Sequence, residues 1–434
     1  MRVNIKHLVF GVCIAFVFLA FADVASAKTI YVPDDYAKIQ WAVDNASAGD
    51  TIIVRDGTYY ESATVSKQLT IKSENGSDNC IVDGTGSTVF TLEADGIRIE
   101  GFTITGSWDG IYLKYSNNNI ISRNSIIENG GYGIHLYNSN NNSISENNII
   151  ENDGGGIFLR YSNKNIISGN SIMENNEDGI EFSSSSNNII LRNSIRNNWR
   201  GIYLNHIYHS SNNILYLNNI INNTYQVTSV GENIWNSTEK ITYTYNGKQY
   251  TNYLGNYWSD YKGSDADGDG IGDTPYSIGG GGDKDNYPLM ERFENYLIEG
   301  KLHISITTDK TEYTTGDIML TNITIANPSK ETKHVIFNWW VTVPSKRFYT
   351  APLATVPMTL SPAYNTTFTY PITVGYWGAD SFGAVFCVAL TNQTSGKIIS
   401  FDATFWNYEA RGAREAGEKS IESIVSEIKR SLHH

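Results

Sequence analysis

A period of 23 residues is the feature of this sequence that most restricts its fold. Gly-Ile pairs recur at steps of 23, 23, 23 and 22 residues, and they begin at Gly110, Gly133, Gly156, Gly179 and Gly201. Asn-containing segments repeat in phase with them, so each unit holds three short runs of β-branched residues separated by Asn, Gly and Ser. Helical repeats need longer apolar stripes with a period of about 3.6 residues, and leucine-rich repeats need Leu where this chain has Ile. The period therefore excludes both.

Three strands per unit predict a parallel β-helix in which each 23-residue unit forms one coil. Neighbouring strands stack about 4.8 Å apart, so equivalent residues of successive coils lie above one another. We expect an internal column of Ile and ladders of hydrogen-bonded Asn side chains that satisfy buried backbone groups. Asn also tolerates left-handed backbone conformations, which suits the bends between strands.

Composition and the N-terminal segment restrict the class of protein. Lys and Arg number 32 against 45 Asp and Glu, a net charge of −13, which argues against nucleic-acid binding because phosphate recognition needs a basic face. Residues 1–27 have a basic start, an apolar run and Ala25-Ser26-Ala27, and are predicted to be a secretory signal. A retained membrane anchor is the alternative. No later segment is apolar enough to span a bilayer, so we expect a secreted or cell-surface protein.

Two parts of the chain resemble known β-helix families. The first resembles the opening coils of pectin-lyase-like right-handed β-helices and comprises Ile30–Gln40, Gly49–Val54 and Gly57–Tyr59. The second resembles the end of NosD-type β-helix proteins, a secreted archaeal type, and comprises Gly255–Tyr261, Asp265–Tyr276 and Asp285–Leu289. The resemblance implies a right-handed parallel β-helix over residues 28–254. It leaves function open, because the superfamily includes lyases, hydrolases, binding modules and structural proteins.

The segment from Asp265 to Asp273, within a junction at residues 255–299, has the pattern of a calcium loop. It offers carboxylates at positions 1, 3, 5 and 9, Gly at 6 and a backbone carbonyl at 7, an oxygen set that suits Ca²⁺. The predicted ligands are Asp265, Asp267, Asp269, Ile271 and Asp273. Tyr276 stands where an EF-hand has Glu, so the loop is closer to the thrombospondin-repeat type, and further ligands are sought among Asp260, Asp283 and Asp285. The alternative is a solvated acidic turn without an ion.

The C-terminal part loses the 23-residue period. Alternating strands over residues 300–408 predict an antiparallel β-sandwich, and Thr308–Lys310 with Gly316-Asp317 resemble the opening strands of immunoglobulin-like modules. Residues 409–434 place Ile421, Ile424, Val425, Ile428 and Leu432 on one helical face. This predicted amphipathic helix either docks on the sandwich or mediates oligomerisation.

Stacked coils allow outward columns of side chains to be read from the sequence. If Ile and Leu of each Gly-Ile-x-Leu segment point inward, the residue between them points outward. That column contains Tyr112, His135, Phe158, Glu181 and Tyr203. Aromatic rings one coil apart suit stacking on sugar rings, so the four ring-bearing residues are predicted to bind a glycan. The alternative is a surface ladder that only stabilises the stack.

Glu181 and Arg160 are the catalytic candidates. They stand one coil apart and, as a pair, would serve as acid and cation on an acidic polysaccharide. A glycosidase needs a second carboxylate at a defined separation, and none joins Glu181 in the columns read from the repeat. A lyase of this fold is expected to show an Asp cluster with a basic residue, which these columns also lack.

The sequence therefore predicts a secreted or cell-surface β-helix protein with a binding or structural role at the cell envelope, related to glycans and stabilised by calcium. A polysaccharide lyase or glycosidase acting on the aromatic column is the alternative. The NosD resemblance implies a third hypothesis, a periplasmic copper-processing role. Copper needs His, Met or Cys ligands, and the close pair His206 and His209 lies in an insertion that lengthens one repeat. An exposed insertion without metal is the simpler interpretation.

Overall fold

A computed structural model describes most of the chain. The described residues are 27–204, 210–298, 302–310, 312–329, 331–343, 348–375, 382–394 and 398–409. The predicted signal, the predicted C-terminal helix beyond residue 409, and the pair His206 and His209 lie outside them. No helix among the described residues is long and apolar enough to cross a membrane.

A parallel β-helix forms the first part of the protein and confirms the predicted fold class. Its coils build three parallel sheets in which equivalent strands pair in register. Sheet 1 contains Thr29–Val32, Thr51–Val54, Thr70–Ser73, Arg98–Glu100, Ile120–Ser122, Ser143–Ser145, Ile166–Ser168, Ile189–Leu191 and Ile214–Tyr216. Sheet 2 contains Ala63–Val65, Phe90–Leu92, Ile111–Lys114, Tyr132–Tyr137, Gly155–Arg160, Asp178–Ser183, Arg200–Leu204 and Tyr225–Ser229. Sheet 3 contains Gly57–Tyr60, Cys80–Asp83, Thr103–Thr105, Ser125–Ile127, Asn148–Ile150, Ser171–Met173, Ser194–Arg196, Asn219–Ile221 and Tyr257–Trp258.

Internal asparagine ladders join successive coils, as predicted. The Oδ1 atom of Asn165 accepts the backbone N–H of Asn142 at 2.8 Å and its side-chain amide at 3.0 Å. Asn165 donates in turn to Oδ1 of Asn188 at 3.1 Å. The ladders contain Asn119, Asn142, Asn165, Asn188 and Asn213; Asn124, Asn147, Asn170, Asn193 and Asn218; and Asn129, Asn152, Asn175, Asn198 and Asn223. Because the ladder amides satisfy one another, these asparagines pack inside the solenoid with their hydrogen bonds made.

The bends themselves use left-handed backbone at the residue before each ladder asparagine. In one coil these residues are Asn118, Arg123 and Glu128, with φ values of 58°, 58° and 51°. Charged side chains therefore occupy this conformation as well as Asn. The expectation that Asn serves the bends through its conformational tolerance holds for only part of them. Its larger role is the inward hydrogen bonding of the ladders.

Both ends of the solenoid are covered. At the start, the helix Ile39–Asn45 buries Ile39, Ala42 and Val43 against the first coils. At the other end, the middle ladder finishes at Asn256, whose backbone N–H donates to the buried carboxylate of Asp285. Around that end lie the strands Ile241–Tyr245, Lys248–Asn252, Tyr276–Ser277, Lys284–Asp285 and Leu297–Ile298 and the 3₁₀ turn Phe293–Asn295.

The C-terminal part forms two sheets around one core, which confirms the predicted sandwich architecture. The three-stranded sheet contains His303–Thr308, Ile318–Asn327 and Tyr364–Thr373. The five-stranded sheet contains Glu312–Thr314, Lys333–Val343, Phe348–Leu360, Phe382–Asn392 and Ile398–Glu409. Pairing is antiparallel except between the first and last of these five strands. Trp339 and Trp406 are each 1% exposed in the core between the sheets.

The sandwich packs on the outer face of sheet 3. Ile127, Ile150 and Met173 stand at equivalent positions of three successive coils and form an apolar cluster with Cys387 and Trp340 of the five-stranded sheet. This contact covers one of the three outer faces of the solenoid. A large ligand must therefore use one of the others.

Candidate functional site

The predicted outward column lies on sheet 2. Strand pairing places Tyr112 beside His135, His135 beside Phe158, Phe158 beside Glu181 and Glu181 beside Tyr203. The first four are half-buried, and Tyr203 is 8% exposed. The 23-residue period therefore located these five neighbours correctly. Their role in ligand binding remains a prediction.

The rings of this column stack on one another. The centroids of Tyr112 and His135 are 4.8 Å apart, and those of His135 and Phe158 are 5.0 Å apart with an interplanar angle of 28°. This spacing follows from the distance between coils, about 4.8 Å, which is close to the distance between the centroids of two offset-stacked rings. Ring faces are consequently covered by neighbouring rings, and their edges face outward. This arrangement favours the surface-ladder interpretation for these three side chains.

Tyr132 joins the column from the position before the repeat glycine. Its ring stacks on Phe158 at 4.8 Å, and its hydroxyl donates to Oε2 of Glu181, two coils away, at 3.2 Å. Gly155 occupies the coil between them, and a β-carbon there would lie 3.3 Å from the Tyr132 ring and 2.8 Å from the Asp178 carbonyl oxygen. The absence of a side chain at Gly155 therefore lets Tyr132 reach Glu181.

The pKa of the Glu181 carboxyl group lies close to neutral pH. Burial, reinforced by the nearby Asp178 carboxylate, raises the pKa of Glu181 to about 7, although the hydrogen bond from Tyr132 opposes the shift. Burial and the Glu181 charge also raise the pKa of Tyr132. Near neutral pH a carboxyl group of this kind exists both as a proton donor and as an acceptor.

A second acidic group, Asp109, holds His135 in place. Its Oδ2 atom lies 3.1 Å from Nδ1 of His135, and its Oδ1 atom accepts the backbone N–H of Tyr132 at 2.8 Å. The Nε2 atom of His135 is buried and has no hydrogen-bond partner within the described part of the chain. Asp109 thus fixes the His135 ring and the backbone from which the Tyr132 side chain projects.

Asp178 and Arg200 form an ion pair on the coils of Glu181 and Tyr203, with the carboxylate buried and the guanidinium half-buried. The guanidinium donates to both carboxylate oxygens, at 2.5 and 2.9 Å, and Asp178 is 2% exposed. Arg200 also lies over the rings of Tyr203 at 3.5 Å and Trp199 at 4.5 Å. Asp178 therefore supplies the second carboxylate beside Glu181 that the columns read from the sequence lacked, and Arg200 supplies the basic residue.

Arg160, the predicted basic partner of Glu181, is engaged elsewhere. Strand pairing places it beside Tyr137 and Ser183, and its guanidinium lies over the rings of Tyr137 at 5.8 Å and Tyr161 at 5.4 Å. These contacts tie Arg160 to the other edge of sheet 2. The structure groups Glu181 with Tyr132 and Asp178 instead.

A row of stacked residues, here called the trough because two of its coils carry only glycine, runs beside this cluster, and sequence reasoning missed it. Its members stand two residues before each repeat glycine: Trp108, Gly131, Gly154, Glu177 and Trp199. A β-carbon on Gly131 would lie 2.8 Å from the Trp108 carbonyl oxygen, and one on Gly154 would lie 2.8 Å from the Gly131 carbonyl carbon. Tight coil stacking thus requires glycine and leaves two coils without side chains. Trp108 and Trp199, 65% and 47% exposed, stand at the two ends of this row about 19 Å apart, and Glu177 separates the glycines from Trp199.

The acidic loop brings three of its predicted ligands together. One carboxylate oxygen from each of Asp265, Asp267 and Asp269 lies within 4.8 Å of the others. The loop's carbonyl oxygens accept hydroxyl donors, with Tyr250 bonding to Gly268 and Tyr243 to Asp269, each at 2.8 Å. The loop is therefore anchored to the end of the solenoid by tyrosines that the motif does not contain.

The other predicted ligands have their own hydrogen bonds. Asp273 accepts the Ala266 N–H at 2.9 Å, and Ile271 donates its N–H to Asp269 at 2.8 Å. Each of the three possible additional ligands accepts a hydrogen bond from an aromatic side chain. Tyr276 donates to Asp260, Trp235 donates to Asp283, and Trp258 donates to Asp285. Asp285 is fully buried at the end of the asparagine ladder.

Comparison with known proteins identifies one family and one curated relative. The model of a family described as periplasmic copper-binding protein (NosD) matches residues 43–263. A cell surface glycoprotein of Methanothermus fervidus is 36% identical over 107 residues, which are 24% of this chain and 18% of that protein. The chain thus aligns with less than a fifth of that relative's length.

Solved structures resemble the chain only distantly. An alginate lyase from Paenibacillus sp. str. FPU-7 is 19% identical, with a TM-score of 0.33, and the match covers 48% of this chain and 95% of the lyase. The ORF18 protein of Geobacillus virus E2 is 11% identical, with a TM-score of 0.36, over 85% of this chain and 83% of that one. Neither likeness bears on the activity of this protein.

Proposed function

We propose, from the premise that this chain belongs to the NosD family, that it is a cell-surface β-helix protein that binds a polysaccharide along the trough of sheet 2. The relative's description as a cell surface glycoprotein supports a place at the cell envelope. Lectin-like binding is the role that this geometry supports best.

The exposed tryptophans on either side of the glycine gap carry this proposal. Sugar rings pack their C–H groups on open aromatic faces, and the stacked rings of Tyr112, His135 and Phe158 present mainly edges. Trp108 and Trp199 instead remain exposed, and the distance of about 19 Å between their coils is the length of several sugar units of an extended chain. Large amphipathic side chains that flank a groove are typical of ligand anchors.

Substitution of the tryptophans tests the proposal. Trp108→Ala and Trp199→Ala should each weaken polysaccharide binding about tenfold, and the double variant should abolish it. Affinity electrophoresis with neutral, amino-sugar and uronate polysaccharides measures the effect. Trp41→Ala is the matched control, because Trp41 is 50% exposed on the N-terminal helix, away from the trough. Full binding by the double variant would contradict the proposal that the trough is the polysaccharide-binding site.

Catalysis on the same face is the second candidate, and the environment of Glu181 favours it. A carboxyl group with a pKa of about 7, hydrogen-bonded by Tyr132 and close to the Asp178–Arg200 pair, is suited to general acid–base work on a glycan. Release of reducing ends or unsaturated products from the same polysaccharides is the readout. Glu181→Gln should abolish any such turnover while leaving binding intact. Turnover that survives this substitution would contradict a catalytic role for Glu181.

Calcium is proposed as a structural ion at the acidic loop. The Asp265, Asp267 and Asp269 oxygens provide the hard carboxylate donors that Ca²⁺ prefers, and the Ile271 carbonyl follows at the expected position. Three carboxylates within 4.8 Å repel one another, and a divalent cation removes that repulsion. The ion would order the junction between the solenoid and the sandwich.

Thermal unfolding with and without calcium tests this site. Calcium at a hundredfold excess over its dissociation constant should stabilise the fold by about 2.7 kcal/mol, seen as a higher Tm than in chelator. Asp267→Asn should remove the difference in Tm between calcium and chelator, because it removes one carboxylate ligand. The substitution should leave the fold intact, since Asp267 is exposed and its carboxylate makes only a weak 3.3 Å contact with the Asp269 N–H. Glu239→Gln, an exposed change elsewhere, is the control. Coincident melting curves, with no calcium in the purified protein, would contradict the site.

Copper, which the family's description implies, does not fit the described residues. Their histidines are dispersed: His135 contacts Asp109, His334 contacts Thr359, and His303 is half-buried on a strand of the sandwich. The described residues contain one cluster of three metal-binding side chains, and all three are carboxylates, which copper does not favour. We therefore assign no copper chemistry to this part of the chain.

A further inference from the structure

The charges along the trough select among polysaccharides. We infer that the trough binds a glycan carrying free amino groups, such as a glucosamine polymer, in preference to a uronate polymer. This inference rests on the proposed polysaccharide binding and specifies its ligand class.

Acidic side chains dominate the trough and its border. Asp153 and Glu177 are exposed, whereas Asp109 and Asp178 are buried, and Arg200 is the facing cation, held by Asp178. Four carboxylates against one guanidinium give a formal charge of −3. Glu181 adds a further negative charge as the pH rises through its pKa of about 7. A carboxylate-bearing sugar entering this field is repelled, whereas an ammonium group is attracted.

Glu177 is the acidic residue of the trough that lies next to an exposed tryptophan. It follows the two glycines of the trough and precedes Trp199, whose backbone N–H donates to the Glu177 carbonyl at 3.0 Å. Its exposed carboxylate therefore lies one coil, about 4.8 Å, from the coil that carries the exposed Trp199 ring. The carboxylate offers an ammonium group charge pairing, and the indole, over which Arg200 lies at 4.5 Å, offers a surface on which the sugar ring packs.

Lys114 and Arg160, the basic residues of sheet 2 other than Arg200 among the described residues, do not offset this field. Lys114 is paired with Glu93 at 3.1 Å, and Arg160 lies over the rings of Tyr137 and Tyr161. Both follow the repeat glycine by four residues, whereas the trough precedes it by two. They therefore lie at the opposite edge of the sheet, and solvent screens them from the trough.

Three soluble oligosaccharides distinguish the ligand classes. Glucosamine oligomers, their fully N-acetylated counterparts and oligomannuronate are titrated into the full chain by calorimetry at low and high salt. We expect glucosamine oligomers to bind about tenfold more tightly than the N-acetylated ones at low salt, with the advantage shrinking at high salt. Oligomannuronate should bind least tightly of the three.

Charge removal supplies the matched variants. Glu177→Gln combined with Asp153→Asn should equalise the affinities for glucosamine and N-acetylated oligomers, while Glu232→Gln, an exposed change at the end of the solenoid, should leave them unequal. Tightest binding of oligomannuronate, or an unchanged preference in the double variant, would overturn the charge inference while polysaccharide binding stands. Failure of all three oligosaccharides to bind would overturn the proposed function itself.

Discussion

Replacing Asn165 with alanine is expected to lower the free energy of unfolding by about 3–5 kcal/mol. Asn165 accepts two hydrogen bonds from Asn142 and donates to Asn188 and to the Ser139 carbonyl, all inside the solenoid. Alanine leaves the two Asn142 donors buried without an acceptor, and each such group costs about 1–3 kcal/mol. The urea midpoint and the Tm measure the loss.

Asn163→Ala is the matched control on the same coil. Asn163 belongs to an outer ladder, where it accepts the Ser186 N–H at 2.7 Å and donates to Asn140 at 3.3 Å while half-exposed. Water replaces these partners, so we expect a loss of at most about 1 kcal/mol. Equal losses in the two variants would mean that the internal ladder adds nothing beyond an ordinary surface hydrogen bond.

Replacing Asp285 with alanine is the second change expected to have a large effect. Its carboxylate accepts the backbone and side-chain N–H groups of Asn256, at 2.7 and 3.3 Å, the Trp258 indole at 2.9 Å and the Tyr287 N–H at 3.0 Å. These contacts close the last coil. We expect a loss of about 3–5 kcal/mol in unfolding free energy, measured by urea denaturation.

The pH dependence separates the Asp285 charge from its hydrogen bonds. Burial raises the pKa of Asp285 to about 6, even though its hydrogen-bond donors favour the anion. The folded state then binds a proton more tightly than the unfolded one, so this residue makes stability fall as pH rises from about 4 to 6. Asp285→Asn should flatten that slope. Asp260→Ala, which changes an exposed carboxylate, should alter neither slope nor stability, and an effect equal to that of Asp285→Ala would refute the assignment.

Much of the candidate site follows from the period, because stacking forces equivalent residues into one column. The column from Tyr112 to Tyr203 was predicted in this way. Tyr132 and Arg200 were missed, although they also recur in register, because strand alternation assigns the position before the glycine to the interior. The bend at each glycine turns that position outward. Strand alternation alone does not include that bend.

The 23-residue period likewise does not predict which side chains of different coils contact one another. The pairing of Glu181 with Arg160 assumed that residues one coil apart on the same face interact. Arg160 lies over Tyr137 and Tyr161 instead, whereas Tyr132 reaches Glu181 across the space left by Gly155. Side-chain length and the absence of a β-carbon decide such contacts, and both act over two coils.

The sequence by itself determined the parallel β-helix, its coil length and its asparagine ladders, because a repeated bend and a fixed strand spacing leave one way to stack. Only the tertiary structure decided which outer face stays open. The sandwich buries Ile127, Ile150 and Met173 of sheet 3, and that docking depends on complementary surfaces more than 160 residues apart in the chain. The trough also depends on tertiary structure. Close contact between neighbouring coils excludes side chains at Gly131 and Gly154, while Trp108 and Trp199 stay exposed at the ends of the row.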